Sequence, residues 1–170
     1  MWVYTKYATL PKWKHYYQYT AIDEYSRLRY LEAFQTADTY SSAVFISHAI
    51  AWFSRQNIHV ECVQTDNGVE FTKRFISNAS GTNPTLFDTV LQKHGIQHKL
   101  IKPYTPRHNG KVERSHREDQ KRLYRNAKFF SFKDFKQQLK RHNQRSNHMP
   151  MRPLNFLSPF QFLKHNVQYV

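Results

Sequence analysis

The 170-residue chain contains little cysteine and glycine and has no long hydrophobic run. Its single cysteine, Cys62, excludes an internal disulfide and is typical of a reducing compartment. No segment approaches the roughly 18 consecutive apolar residues of a transmembrane helix, and the N-terminal residues match neither a signal peptide nor a transit peptide. With four glycines and no repeat, no low-complexity linker divides the chain. We therefore expect a cytoplasmic protein without a membrane partner.

Acidic residues are scarce as well. The chain has 12 Asp and Glu residues against 26 Lys and Arg residues, a formal net charge of +14. Residues 107–145 contain 13 basic and 4 acidic residues, so +9 of the net charge lies in this one stretch. Clustered positive charge attracts polyanions and favours phosphate contacts. A solvated surface without a partner is the alternative, but the clustering favours contact with nucleic acid.

The abundant residues predict a folded domain that contains both strands and helices. Hydrophobic residues make up 39% of the chain and aromatic residues 16%, which is typical of folded proteins. Runs of β-forming residues predict strands over residues 3–7, 15–23, 28–34, 58–65 and 96–101. Helical periodicity predicts a helix over residues 39–54, capped by Thr39 or Ser41, and another over residues 84–94, ended by Gly95. Two more helices are predicted over residues 109–128 and 131–143, the second capped by Ser131.

The order of these elements predicts an α/β fold with a mixed five-stranded sheet flanked by helices. Three antiparallel strands would come first, with a hairpin turn between the second and third, and two helix-linked parallel strands would follow. Prolines after residue 147 predict an irregular arm that ends in a short helix. We therefore expect one domain over residues 1–147 and a C-terminal arm with a short helix over residues 148–170.

Two short motifs contain candidate functional residues. In the first, Thr65-Asp66-Asn67-Gly68, Asp66 follows the predicted fourth strand, where α/β sheets commonly place functional groups. Taken alone, this Asn-Gly pair is explained equally well by a tight turn. The second motif lies within residues 102–114, where two prolines stiffen a loop and Glu113 falls near the start of the long helix. Taken alone, an acid at a helix N-terminus only stabilises the helix, by roughly 0.3–1 kcal/mol.

Together, the two motifs closely resemble blocks of the DDE transposase and retroviral integrase superfamily, in particular bacterial insertion-sequence transposases. The family pattern TDNG.EF is matched by Thr65, Asp66, Asn67, Gly68, Glu70 and Phe71. The pattern P.TP..NGk.Er.h is matched by Pro103, Thr105, Pro106, Asn109, Gly110, Lys111, Glu113, Arg114 and His116. Residues 21–27 resemble the end of the family's second strand. The resemblance extends over residues 17–162 and implies an RNase H-like fold.

The resemblance implies that Asp66 and Glu113 are the second and third catalytic carboxylates of a DNA-cleaving and strand-transferring enzyme. In such enzymes two divalent cations about 3.5–4 Å apart flank the scissile phosphate. Mg²⁺ prefers carboxylates and water as ligands, so the implied cofactor is Mg²⁺, with Mn²⁺ as a substitute. The implied partners are transposon ends and target DNA, held by a homo-oligomer, with no small-molecule substrate. The implied location is the bacterial cytoplasm, in association with the nucleoid.

The chain departs from the family pattern at the first carboxylate. The family's first Asp lies on the first strand, in a segment like vDtky, and Tyr4 stands at its position here. A neutral phenol cannot replace a carboxylate that bridges two divalent cations. Asp23 is a weak substitute, and we expect it to cap the turn towards Ser26 and Arg27. Weak or absent phosphoryl transfer is therefore expected, whether the Asp was replaced by Tyr4 or lost through truncation or a change of frame.

Candidate DNA contacts lie on the predicted long helix and in the loop that precedes it. On the helix, basic residues recur at spacings of three and four and form one stripe, namely Arg114, Arg117, Lys121, Arg125 and Lys128. The loop adds Arg107, His108 and Lys111. Such residues would hold phosphates without reading the base sequence, and a solvated helix face is the alternative interpretation.

Two other functions are compatible with parts of the sequence. A catalytically inactive remnant of the same fold could still bind DNA, and the residue at position 4 separates it from an active core. A basic RNA-binding module, or an RNase H that acts on hybrids, would also explain the charge. The second motif disfavours this last interpretation.

Overall fold

A mixed five-stranded sheet forms the centre of the protein in the computed structural model, which describes residues 1–9, 15–72, 84–101 and 114–167. The strands are β1 (Trp2–Thr9), β2 (His15–Ile22), β3 (Arg29–Phe34), β4 (Cys62–Thr65) and β5 (Gln97–Leu100), in the order β3-β2-β1-β4-β5. β1, β2 and β3 pair antiparallel, and β4 pairs parallel with both β1 and β5. The predicted sheet of three antiparallel and two parallel strands is confirmed.

Helices cover both faces of this sheet. They are α1 (Thr39–Ser54), α2 (Leu86–Lys93), α3 (described over residues 114–124), α4 (Phe132–Asn147) and α5 (Pro159–Val167). The last turn of α3, Gln120–Tyr124, is a π-helix, and a 3₁₀ turn, Arg152–Leu154, lies between α4 and α5. None of the described helices is long and apolar enough to cross a membrane.

Two hydrophobic clusters lie on opposite faces of the sheet. The larger one joins the sheet to α1 and α2, and its largest fully buried side chains include Tyr19, Phe45, Phe53 and Phe87. The smaller one joins β3 to α3 and α4 through Leu31, Ala33, Leu123, Phe129, Phe135 and Leu139. Side chains alternate along a strand, so β3 contributes Tyr30 to the first cluster and Leu31 to the second.

The cap of α1 and the bounds of β4 and α4 differ from the sequence-based prediction. The cap of α1 is Asp38 and not Thr39 or Ser41, because the Asp38 carboxylate accepts a hydrogen bond from the Ser41 amide at 2.7 Å. β4 begins at Cys62 and not at residue 58, since the Ile58 amide donates to the Phe53 carbonyl and ends α1. α4 continues past residue 143 to Asn147. The predicted Ser131 cap of α4 and the end of α2 before Gly95, whose φ is +67°, are confirmed.

Candidate functional site

The sheet brings Tyr4 and Asp66 to the same level. Asp66 is the first residue after β4. Parallel pairing of β1 with β4 places Trp2 opposite Gln64 and Val3 opposite Thr65. Continuing this register by one residue sets position 4 level with position 66. Two of the positions singled out in the sequence are therefore neighbours at the carboxyl end of β4.

Tyr4 is buried and lies against α3. Its side chain is only 2% exposed, and its hydroxyl donates a hydrogen bond to Ser115 Oγ at 2.8 Å. The ring packs on His116, with 4.3 Å between the ring centroids. Burial raises the pKa of the phenol to about 12, because the phenolate would lose its hydration. Tyr4 therefore presents a neutral hydroxyl that is already hydrogen-bonded to α3.

Asp66 is more open to solvent and lies beside a second carboxylate. Its Oδ1 accepts a hydrogen bond from the Gly68 amide at 3.0 Å. Partial desolvation raises the pKa of Asp66, the Gly68 hydrogen bond opposes this, and the negative charge of Glu70 adds to the rise. A Cβ atom placed on Gly68 would lie 2.6 Å from Glu70 Oε2 and 3.1 Å from Asp66 Oδ1. The two carboxylates thus border one space above Gly68.

These residues do not complete a site for two divalent cations. Within the described parts of the chain, no group of three or more His, Cys, Asp and Glu side chains could hold a metal ion. Tyr4 offers no charge, and Asp66 is the one carboxylate that the structure describes at a position implied by the resemblance. Glu113, the other expected ligand, lies outside the described residues. The described residues therefore contribute one of the carboxylates that the resemblance implies.

Beneath Tyr4, a buried ion pair joins α3 to the sheet. Asp119 is fully buried, and both its carboxylate oxygens lie 2.7 Å from Arg29 Nη2 of β3. His142 Nε2 of α4 lies 2.8 Å from Asp119 Oδ1, and Gln18 Nε2 of β2 donates to Oδ2 at 2.8 Å. Burial alone would raise the pKa of Asp119, but Arg29, His142 and Gln18 together hold it well below its usual range.

Other hydrogen bonds extend this network along the sheet. Asn147 at the end of α4 accepts from the Arg29 amide at 2.9 Å and donates to the Arg29 carbonyl at 2.7 Å. Gln18 also donates to Thr20 Oγ1 at 2.9 Å and accepts from the Tyr124 hydroxyl. Thr20 is the cross-strand partner of Tyr4. Contacts from β2, β3, α3 and α4 thus meet in one polar layer on the face of the sheet that carries Tyr4.

The expected DNA contacts fall into two groups. All five residues of the basic stripe are described and exposed, namely Arg114, Arg117, Lys121, Arg125 and Lys128. α3 ends at Tyr124, four residues before its predicted end, so Lys128 lies beyond the helix. Arg107, His108 and Lys111 lie outside the described residues. Glu118 pairs with Arg122 at 2.6 Å, as ordinary helix-surface pairing predicts.

Asp23 takes the structural role expected of it. Its Oδ2 accepts hydrogen bonds from the Ser26 amide at 2.8 Å and from the Ser26 hydroxyl at 2.6 Å. The Arg27 amide donates to the Asp23 carbonyl at 3.1 Å, and Arg27 has a positive φ of 61°. Asp23 therefore closes the hairpin turn between β2 and β3.

Sequence patterns do not indicate the buried polar residues. Asp119 lies among exposed basic residues, and its spacing of four from both Ser115 and Leu123 is the one signal that it shares their inward face. Arg29 and Gln18 occur within β-forming runs and predict nothing by themselves. A second polar group, formed by Thr65, Asp88 and His98, is also not predicted, although Thr65 belongs to the first motif.

Comparison with known proteins is consistent with this architecture. A family model described as integrase core domain matches residues 2–106, and a second model with the same description matches residues 94–153. A protein of Spiroplasma virus SpV1-C74 that is named as an integrase, ORF3, is 29% identical over 153 residues. That alignment covers 88% of this chain and 42% of the viral protein, so the chain spans less than half the length of this curated relative.

Two solved structures show the same fold at low sequence identity. The crystal structure of the catalytic core domain of BIV integrase has a TM-score of 0.67 and 18% identity, covering 99% of this chain and 98% of that one. A chain of the simian T-cell lymphotropic virus intasome, solved in complex with the PP2A regulatory subunit B56 gamma, has a TM-score of 0.73 and 17% identity. That match covers 95% of this chain and 52% of the other. The expected RNase H-like fold is thereby confirmed.

Proposed function

Because the chain belongs to the integrase core domain family, we propose that it binds DNA and that its strand cleavage and strand transfer are weak or absent. The family places three carboxylates around divalent cations, Mg²⁺ or Mn²⁺, which activate the attacking oxygen and stabilise the leaving one. This chain would supply Asp66 and Glu113. In this proposal, Tyr4 stands where the first carboxylate of the family would lie.

The state of Tyr4 supports this proposal most strongly. The phenol is neutral at physiological pH, because its pKa is about 12, and its hydroxyl donates its proton to Ser115. The positive charge of Arg29 favours the phenolate, but burial outweighs it. Without a carboxylate at position 4, Asp66 and Glu113 would offer too little negative charge to hold two divalent cations. Reduced metal affinity and slow chemistry both follow from this single substitution.

DNA binding does not need position 4. α3 lies on the face of the sheet that carries Tyr4, and its exposed basic residues point away from the sheet. The first of them directly follows position 113. Such residues would contact phosphates and give affinity without sequence preference. A catalytically inactive DNA-binding remnant is therefore the second candidate function, and the absent charge at position 4 favours it.

Nicking of supercoiled plasmid DNA in Mg²⁺ or Mn²⁺ tests the proposal without knowledge of a specific DNA site. The chain is compared with Tyr4→Asp, with the uncharged matched variant Tyr4→Asn, and with Tyr4→Asp combined with Asp66→Asn. We expect Tyr4→Asp to nick at least about tenfold faster than the unmodified chain, and the other two variants to show no gain.

The other outcomes separate the two candidates. Circular dichroism first establishes that each variant is folded. A folded Tyr4→Asp variant that binds DNA and never nicks it supports the inactive remnant. Metal-dependent nicking by the unmodified chain at the rate of Tyr4→Asp contradicts the proposed role of position 4.

A further inference from the structure

A second polar group lies behind Asp66, and none of its side chains has a role in the function proposed above. It joins the last residue of β4, Thr65, to His98 of β5 and to Asp88 of α2. His98 Nδ1 lies 2.6 Å from Asp88 Oδ1, and His98 Nε2 lies 2.9 Å from Thr65 Oγ1. Thr65 is fully buried, and the His98 side chain is 13% exposed. The three side chains therefore form one chain of hydrogen bonds from α2 to the end of β4.

Protons can be assigned at the Asp88 end of this hydrogen-bond chain. The Thr65 hydroxyl donates to the Asp66 carbonyl oxygen at 2.9 Å and also lies 2.9 Å from His98 Nε2. His98 Nδ1 donates to the Asp88 carboxylate, which can only accept. Desolvation would raise the pKa of Asp88, but hydrogen bonds from His98 and Thr85 lower it, so Asp88 accepts as an anion. The imidazole thus joins Asp88 on one side to Thr65 on the other.

Both ends of this hydrogen-bond chain are anchored. The second oxygen of Asp88 accepts from the Thr85 amide at 3.1 Å and from the Thr85 hydroxyl at 2.8 Å, which completes the capping box of α2. The His98 ring lies against Phe87, with 5.2 Å between the ring centroids. The imidazole is therefore held in one orientation by α2.

We propose that His98, held by Asp88, is a positioning residue for Asp66. It fixes the Thr65 hydroxyl, which in turn fixes the Asp66 peptide at the end of β4. On the other side of Asp66, Asn67 Nδ2 donates to the Ile101 carbonyl at 3.0 Å. The backbone around Asp66 is thus restrained on both sides, so its carboxylate keeps one direction. This role rests on the proposed function, in which Asp66 is a metal ligand.

The Gly68 amide provides a readout that requires neither metal nor DNA. It donates to Asp66 Oδ1, so its solvent exchange rate, measured by NMR, reports how well the carboxylate is oriented. We expect Thr65→Val and His98→Ala each to raise this exchange rate about fivefold, while amides of β2 and β3 keep their protection. Since both variants break the same chain of hydrogen bonds, the double variant should raise the Gly68 exchange rate little more than either single variant.

Two further variants separate positioning from general stability. His98→Gln keeps a donor that can reach Thr65, and we expect it to restore most of the Gly68 protection. His94→Gln, an exposed histidine just after α2, is the matched control and should change nothing. Unchanged Gly68 exchange in folded Thr65→Val and His98→Ala overturns the proposal. An equal rise at all amides overturns it as well, since that result means loss of stability and not loss of position.

Broadening of the Asp66 amide signal by Mn²⁺ tests the proposed function separately. If Mn²⁺ leaves that signal unchanged in both the unmodified chain and Tyr4→Asp, Asp66 is not a metal ligand and the proposed function fails. The exchange measurements would still decide whether His98 orients Asp66.

Discussion

The side chain at position 4 differs from a carboxylate in size as well as in charge. The Tyr4 ring fills space between β1 and α3 and contacts His116, and its hydroxyl reaches Ser115. A shorter Asp would leave part of this space empty and would place a charge near Arg29 and Asp119, both of which affect the pKa of Tyr4. Emptying a buried aromatic site costs about 3 kcal/mol, so Tyr4→Asp should lose stability even where it gains activity.

Glu70 should influence the protonation of Asp66. We expect Glu70→Gln to lower the pKa of Asp66, because the negative charge of Glu70 is one cause of its rise. An NMR titration of the Asp66 carboxyl carbon measures the shift. Glu61→Gln, at the opposite end of β4, is the matched control and should leave that titration unchanged. A rise in the pKa of Asp66 in Glu70→Gln would show that the two carboxylates do not repel each other.

Among the secondary-structure elements, α3 depends most on polar contacts. Asp119 lies at the centre of its inner face and joins it to β2, β3 and α4 through Gln18, Arg29 and His142. Arg29 Nε has no hydrogen-bond partner among the described residues, so the pair with Asp119 provides much of the compensation for its buried charge. A buried ion pair of this kind holds one packing arrangement more strictly than it stabilises the fold.

Asp119→Asn should destabilise the chain strongly. The substitution keeps the shape of the side chain but leaves the Arg29 guanidinium buried without its anion, at a cost of about 3–5 kcal/mol. The control is Glu118→Gln, which removes the half-exposed pair with Arg122 and should cost at most about 1 kcal/mol. Urea denaturation followed by circular dichroism measures both. Equal effects in the two variants would mean that the buried pair has no special role.

The same comparison should depend on pH. The pKa of Asp119 is lowered in the folded chain, so its stabilising effect is complete above the unfolded value of about 3.9 and is lost as the pH falls through the folded value. The difference between the unmodified chain and Asp119→Asn should therefore stay constant between pH 7 and pH 5 and shrink below about pH 4. A difference that grows with acidity has the wrong sign for a paired carboxylate.

The elements of this fold can be predicted from sequence more completely than the contacts between them. The β-forming runs of β2 and β3 and the helical periodicity of α1 depend on neighbouring residues, so the sequence predicts these elements well. The inward direction of Asp119 depends on Arg29, 90 residues earlier in the chain, and no local pattern contains that information. His98 escapes prediction for the same reason, because its partners Asp88 and Thr65 come from α2 and β4. Position 4 is recognisable only through the resemblance to a family.

The positive charge of the chain is concentrated on one side of the folded domain. Residues 114–147, which include α3 and α4, contain 11 basic and 3 acidic residues and lie on the face of the sheet opposite α1 and α2. The opposite face of the sheet, which α1 and α2 cover, contains the larger hydrophobic cluster. The positive charge is thus concentrated on one side of the sheet, which suits a domain that binds a polyanion on that side.

Salt dependence of DNA binding tests which basic residues contact phosphate. We expect Arg117→Gln and Lys121→Gln each to reduce the slope of log affinity against log salt concentration by about 0.9. Lys93→Gln, an exposed lysine of α2 on the other face, should leave the slope unchanged. Fluorescence anisotropy with a random-sequence duplex provides the measurement. Equal slopes for all four proteins would remove α3 from the DNA surface.

The role of position 4 can be decided by the affinity for Mn²⁺, measured by electron paramagnetic resonance on folded protein without DNA. A third carboxylate beside Asp66 should tighten binding, so we expect Tyr4→Asp to bind Mn²⁺ at least about tenfold more tightly than the unmodified chain or Tyr4→Asn. Adding Asp66→Asn to Tyr4→Asp should abolish the gain. If the unmodified chain, Tyr4→Asn and Tyr4→Asp all bind Mn²⁺ with the same affinity, position 4 is not part of a metal site, and Tyr4 is not the cause of weak catalysis.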